Sequence, residues 1–252
     1  MDEHGFDART PEDEQGPEVD TPETETGSAA DTPLPGFPSR FVGVFLNPGR
    51  TMEALAAHPA WVAALLVGAL LVMLQALLLP AEVFETAMRE ALAQRGQEIP
   101  AGTESAVAMM RIAGVVGGLV GYAIITALLA GLFTLVFSFV LGDEGRYTQY
   151  LAAYAHAQLI PAVIGLLLVP LRIMQGSPQL TLNLGTFFFF LDDGYLLKVL
   201  TMMDLAQLWA LLVMAAGAHA INPKRSFGSA AVVTVSVWVL MAMAFAPFAP
   251  TP

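Results

Sequence analysis

The sequence predicts an all-α protein: a polytopic membrane bundle of five transmembrane helices preceded by a disordered acidic tail. Three observations carry that expectation. Hydrophobic residues make up 56% of the 252-residue chain and charged residues only 13%, against about 25% charged in soluble domains. The apolar residues are gathered into five runs near the length a bilayer requires. The acids are concentrated at one end: residues 1–35 hold eleven acids and one base, Arg9, whereas the rest of the chain holds eleven acids and ten bases. The net charge of −11 is therefore a property of the tail.

Residues 1–35 are rich in Asp, Glu, Thr and Pro and almost lack large aliphatics. Such a segment buries too little apolar surface to offset its ordering entropy, so disorder is expected. It has neither the basic start nor the apolar centre of a signal peptide. A solvating tail is the plain reading, and a docking tail for a basic partner is the sharper one. The membrane domain then occupies residues 36–252.

The domain opens on RFVGVFLNPGRTMEALAAHPAW, Arg40 to Trp61. Phe41, Val44 and Phe45 form an apolar cluster ahead of the Asn47-Pro48-Gly49 turn. Thr51 is expected to cap a short helix from Met52 to Ala57, with Pro59 starting the first span. An amphipathic foot of this kind lies in the headgroup layer and sets the depth of the helix behind it.

The spans are read at about 61–79, 112–141, 150–171, 202–221 and 229–248. The second has 30 residues, or about 45 Å of helix against a hydrocarbon core of about 30 Å, so it tilts or protrudes. The third is interrupted by Pro161 and ends near Pro170. In lipid each backbone polar group must be paired within its own segment, so these runs must be helices. Between the first two spans, AEVFETAMREALAQRG places Phe84, Met88 and Leu92 at helical spacing, with Glu85 four residues before Arg89. Gly96 and Pro100 end that helix. The loop after span three carries four consecutive phenylalanines, 187–190, expected to dip into the membrane interface or pack over the bundle. YLLKVL then forms an interfacial helix with Leu196, Leu197 and Leu200 on one face.

An odd number of spans puts the termini on opposite sides. Arg40, Arg50, Arg146, Lys224 and Arg225 flank the spans on the N-terminal side, and Arg89, Arg95, Arg111, Arg172 and Lys198 on the other. Lys224 and Arg225 occupy a very short loop, where the positive-inside rule is strongest, so a cytoplasmic N-terminus and an exported C-terminus are expected.

The order of these features resembles the Ypt-interacting protein (Yip) family, in its bacterial five-span branch. The matching pieces are FLNPGRTMEALAAHPAW before span one, GDEGRYTQYLAAYAHAQLIP between spans two and three, NLG, MMDLAQLWALLVMAAGAHAI at span four, and KRSFGSAAVV entering span five. They cover roughly Arg40 to Phe248. The resemblance implies five helices with a cytoplasmic N-terminus, in the bacterial inner membrane. Eukaryotic members are associated with Rab-type GTPases and vesicle formation. The Asp-Leu-Tyr-Gly-Pro segment typical of those members is absent here, which argues against a GTPase partner. Some bacterial members are encoded beside transporters, which makes a transporter one candidate partner.

Polar groups inside a membrane are functional candidates by default. Asp204 starts span four and Arg172 ends span three at the same level, where an ion pair or snorkelling is the plain reading. His156 and Gln158 lie in span three and His219 near the end of span four. They would either hydrogen-bond between helices or line a proton or ion path. Gly114, Gly117, Gly118 and Gly121 in span two make overlapping small-xxx-small pairs, suited to packing within the bundle or to a homodimer face.

Nothing points to enzyme chemistry or a cofactor. The chain has no cysteine, no HExxH pattern, no Gly-x-Ser-x-Gly elbow and no phosphate loop. Asp192-Asp193 is an isolated pair of the kind found in turns. No basic patch suits nucleic acid. Two function classes follow: a non-enzymatic membrane protein that binds other membrane proteins as adaptor or assembly and trafficking factor, or a small transporter or channel using the intramembrane polar residues.

Overall fold

Every named element of the computed structural model is helical, and the described residues are 33–94, 96, 103–178, 180–188 and 190–248. The acidic tail up to Thr32, together with Arg95 and Pro100, lies outside them. Of the segment read as tail, Leu34 packs against the main core cluster, so the folded part begins slightly before residue 36.

The foot consists of α1 (Phe37–Leu46) and α2 (Pro48–Ala57). Pro48 occupies the first turn of α2, where its missing N–H costs nothing. Thr51 consequently sits inside that helix and does not cap it; its hydroxyl donates to the Asn47 carbonyl at 3.0 Å. The apolar face of the foot is turned into the bundle. Val44, Met52 and Leu55 are fully buried in the main core. Phe41 packs on Ala64, Ala155 and Leu159, and Phe45 meets Trp209 edge-on at 5.9 Å.

The run read as the first span forms α3 (Val62–Leu78), which begins three residues after Pro59 and stops before Pro80. The chain there bends by 84° into α4 (Ala81–Gln94), with the expected Glu85–Arg89 ion pair on its surface. Gly96, at φ 64°, follows α4. Next comes α5 (Thr103–Thr134), which starts before the apolar run and continues as a π-helical turn, Leu135–Val140. The third span is broken into α6 (Tyr147–Ala157), α7 (Leu159–Leu167) and α8 (Val169–Gln175). Pro161 and Pro170 lack the N–H groups that would pair the carbonyls of Ala157 and Leu166, which accounts for the breaks.

The segment after α8 contains a short 3-10 turn, Leu184–Phe188, and α9 (Tyr195–Met202). Phe187, Phe188 and Phe190 are exposed and do not cover the bundle. On α9 the buried residue is Val199, whereas Leu196 points outward. Leu184 N–H bonds the Met203 carbonyl and Leu205 N–H the Leu182 carbonyl, which ties this segment to the start of α10 (Leu205–Ile221). The chain ends with α11 (Phe227–Phe245) and a turn at Ala246–Phe248.

Helix α10 is the hub, packing on α2, α6, α7 and α11, while α3 packs on α5 and α7. Close approach is made possible by glycine. A Cβ on Gly217 would stand 2.7 Å from the Ala153 Cβ, and one on Gly68 would strike the Tyr122 hydroxyl. Among the described residues three helices are long and apolar enough to cross a membrane: Ile112–Val140, Tyr147–Leu167 and Phe227–Phe248. A fourth arises if the bent pair Val62–Leu78 and Ala81–Ala87 is one span. Leu205–Ile221, at 17 residues, is apolar but shorter. The third span is the central one: 72% of its window is buried, against 22% for the second and 17% for the last.

Candidate functional site

Among the described residues, polar side chains of the membrane domain gather in three places, the first two of which share Gln207. Around the end of α8 and the start of α10, Gln75, Arg172, Thr181, Asp204 and Gln207 line one cavity of about 300 Å3. Arg172 reaches it from the start of the last turn of α8. Its Nε donates to the Leu180 carbonyl at 3.0 Å and its Nη1 to Gln75 Oε1 at 3.1 Å. Gln75 in turn donates to the Ala162 carbonyl at 3.0 Å, across the broken third span. Gly165 makes room for it, since a Cβ there would lie 2.5 Å from Gln75 Oε1. Asp204 is the N-cap of α10, accepting from Gln207 N–H at 2.9 Å. The expected Arg172–Asp204 ion pair is not made: the two charges face one cavity, each held by neutral partners. Burial lowers the Arg172 pKa, and the nearby Asp204 carboxylate opposes that shift.

Deeper in the bundle, Tyr122, Thr126, Tyr154, Gln158 and Gln207 border a second cavity of about 270 Å3, otherwise lined by apolar side chains of α5, α10 and α11. Gln158, the residue between α6 and α7, is one of the polar side chains that border it. The two histidines do not join it. His156 is fully buried, donates from Nδ1 to the Ala152 carbonyl of its own helix at 2.8 Å, and lies 6.2 Å from the Phe37 ring of the foot. Neither an interhelical bond nor a relay is formed by that contact. His219 is exposed at the other end of α10 and donates to the Arg225 carbonyl at 2.6 Å.

The third group escaped the sequence reading. Asp143 and Arg225, from the two short loops on the foot side, form a bidentate pair. Arg225 Nε donates to Oδ2 and Nη2 to Oδ1, both at 2.7 Å, and Asn222 Nδ2 donates to Oδ1 at 2.7 Å. The guanidinium lies 5.5 Å from the Phe137 ring centre, and Phe137 stacks on Tyr150 at 5.7 Å. The π-helical turn carries Phe137 to this position. Gly145 lets the loop pass, because a Cβ there would stand 2.5 Å from the Tyr150 ring. The Asp143 carboxyl is held below the usual range, first by the Arg225 hydrogen bonds, against the effect of burial, with Asn222 adding to it. The available signal was an acid and a base in two short loops on the same side of a bundle. The sequence alone places Asp143 only in the stretch joining spans two and three.

The glycines of α5 divide. Gly118 packs on Val72 of α3, where a Cβ would come within 3.3 Å. Gly114, Gly117 and Gly121 have nothing within 4 Å of such an atom. Packing inside the bundle therefore accounts for Gly118 alone among the four.

Among the described residues no group of three or more His, Cys, Asp or Glu could hold a metal ion. No curated protein and no solved structure matches the chain. The Yip1 domain family model matches residues 42–246, well over half of the sequence, and the chain belongs to that family of membrane proteins.

Proposed function

We propose that this protein is a non-enzymatic adaptor or assembly factor that binds other membrane proteins, a transporter among the candidates, in the bacterial inner membrane. The observation that carries the reading is the open face of α5. Gly114, Gly117 and Gly121 face free space on a helix whose apolar window is only 22% buried. Small residues at such spacing let a second helix approach closely, and association in lipid relies on that packing. A partner helix or a second copy fits this face. The acidic tail, residues 1–35, then serves as a solvating extension beside the partner.

Five spans with a cytoplasmic N-terminus agree best with this reading. Helix α10 would be about 26 Å long, close to the hydrocarbon thickness, and modest thinning accommodates the difference. Reporter fusions after Asn183 and after Lys224 should report opposite sides. Photo-crosslinkers at Gly117 and Gly121 should capture a partner helix, whereas one at Leu66, on an exposed face of α3, should not. Equal capture at all three positions would remove the basis for the proposal.

A second reading, a small transporter or channel, draws on one observation: the cavity bordered by Gln158, Gln207 and Tyr154 in the middle of the bundle. His156 and His219 do not belong to it. Loss of a solute-dependent phenotype in Gln158→Leu, with Gly117→Leu unaffected, would favour transport over binding.

A further inference from the structure

Arg172 and Asp204 border the same cavity, yet among the described residues each finds partners for only part of its hydrogen-bonding capacity. The two hydrogen bonds to Leu180 and Gln75 orient the guanidinium but occupy two of its N–H donors. About three of its five donors stay available. Asp204 accepts one bond, from Gln207 N–H, out of about four acceptor positions on an ionised carboxylate. Opposite charges in a half-buried site gain most by direct contact. Here their own neutral partners keep them apart across a space of about 300 Å3. A single water needs about 10–15 Å3 on such a measure, so a polar group of several heavy atoms fits.

The position of the cavity narrows the ligand. Asp204 precedes the first residue of the apolar helix α10, and Arg172 lies in the last turn of α8. Both stand where apolar helices give way to polar chain, which in a membrane is the level of the headgroups. We propose that this cavity binds a zwitterionic group, with its anionic end on Arg172 and its ammonium end on Asp204. A phosphoethanolamine lipid headgroup has that chemistry, and so does a free zwitterion of similar size. The inference does not rest on the adaptor reading, because the α5 glycines are not among the cavity's lining residues.

The test uses the full chain in mild detergent and native mass spectrometry with phosphatidylethanolamine or phosphatidylglycerol, which lacks the ammonium. The unaltered protein should retain phosphatidylethanolamine roughly tenfold better, the expected effect of one charge-assisted contact. Asp204→Asn keeps the acceptor that caps α10 and so should fold, because Asn caps as well as Asp. It should abolish the preference between the two lipids. Arg172→Gln should weaken retention of both. If Arg172→Gln does not fold, the lipid ratio in Asp204→Asn still decides. A preference for phosphatidylethanolamine that survives Asp204→Asn, or no preference in the unaltered protein, overturns the proposal. Added free phosphoethanolamine distinguishes the sources: displacement of the lipid supports a soluble zwitterion at the same charges, and its failure to compete supports the lipid headgroup.

Discussion

Removing Arg225 should be among the most costly single changes outside the apolar core. The pair it forms with Asp143 is nearly closed to solvent, with side-chain exposures of 14% for Arg225 and 3% for Asp143. Exposed ion pairs are worth about 1 kcal/mol or less, whereas breaking a buried pair costs about 3–5 kcal/mol because the remaining charge is left uncompensated. In Arg225→Ala the carboxylate keeps Asn222 Nδ2 at 2.7 Å and the Phe137 ring loses its cation. The retained bond argues for the lower end and the lost ring contact for somewhat more, so the expected loss is about 3–4 kcal/mol. Asp143→Asn leaves Arg225 nearer to water and should cost less, about 2 kcal/mol.

Reversible unfolding in mixed detergent and SDS reads these differences, and a double-mutant cycle isolates the coupling. Arg225→Ala with Asp143→Asn should lose at least about 1 kcal/mol less than the sum of the two. The pair also sets an acid limit. Because the folded-state pKa of Asp143 is depressed, chiefly by the Arg225 hydrogen bonds, its contribution is complete above the ordinary carboxylate pKa of about 4. It is lost as pH falls through the lower folded value. The unaltered protein should therefore lose stability on acidification more steeply than Asp143→Asn. Additive losses, or an Arg225→Ala cost below about 0.5 kcal/mol, would show that the pair is solvated and the reasoning wrong.

Other substitutions separate packing from open surface. Gly118→Leu should destabilise the protein by about 1–3 kcal/mol through overpacking on α3, whereas Gly117→Leu and Gly121→Leu should leave its melting temperature unchanged. The reverse pattern would mean that α5 is turned the other way. Gly217→Val should cost about 3 kcal/mol or more, measured by the same unfolding assay, because the neighbour it meets is on the facing helix α6. Gln75→Leu removes a partner of both Arg172 and Ala162 and should cost about 2 kcal/mol, with no loss indicating that water replaces the amide. A chain starting at Pro33 should melt like the full protein. One starting at Pro38 loses the Leu34 and Phe37 contacts and should melt lower.

How far the fold could be read in advance differs by element. The helical runs were legible because lipid leaves the backbone no alternative to the helix. The Glu85–Arg89 pair was legible because its spacing is local. The orientation of the foot was not. Phe41, Val44 and Phe45 make an apolar face whether they meet lipid or protein, and only the tertiary structure turns them into the bundle. Thr51 is a good cap and points to a start at Met52, but Pro48 begins the helix four residues earlier. In the candidate sites the limit was distance along the chain. Asp143 and Arg225 are 82 residues apart, and the Gln75 amide is 87 residues from the Ala162 carbonyl it reaches. The level of Arg172 and Asp204 could be inferred from helix ends, but not the partners that hold them apart.

The broken third span explains why the polar groups gather where they do. A helix facing lipid cannot leave carbonyls unpaired, since no water reaches them. Pro161 and Pro170 each free one carbonyl, so a span carrying both is tolerable only inside a bundle, where side chains can approach the backbone. The span that carries the prolines is the one with 72% of its window buried. Gln75 meets its backbone at Ala162, and Gly165 supplies the space. Once Gln75 is committed to that backbone, its Oε1 takes an Arg172 donor and so holds the guanidinium at the cavity wall. The separation of Arg172 from Asp204 is thus tied to the backbone of the buried span through Gln75, at a carbonyl, Ala162, other than the two the prolines leave without an N–H. Restoring Arg172 to direct contact with Asp204 would require Gln75 Oε1 to give up the guanidinium while its Nε2 keeps the Ala162 carbonyl, which would leave a buried amide oxygen without its donor.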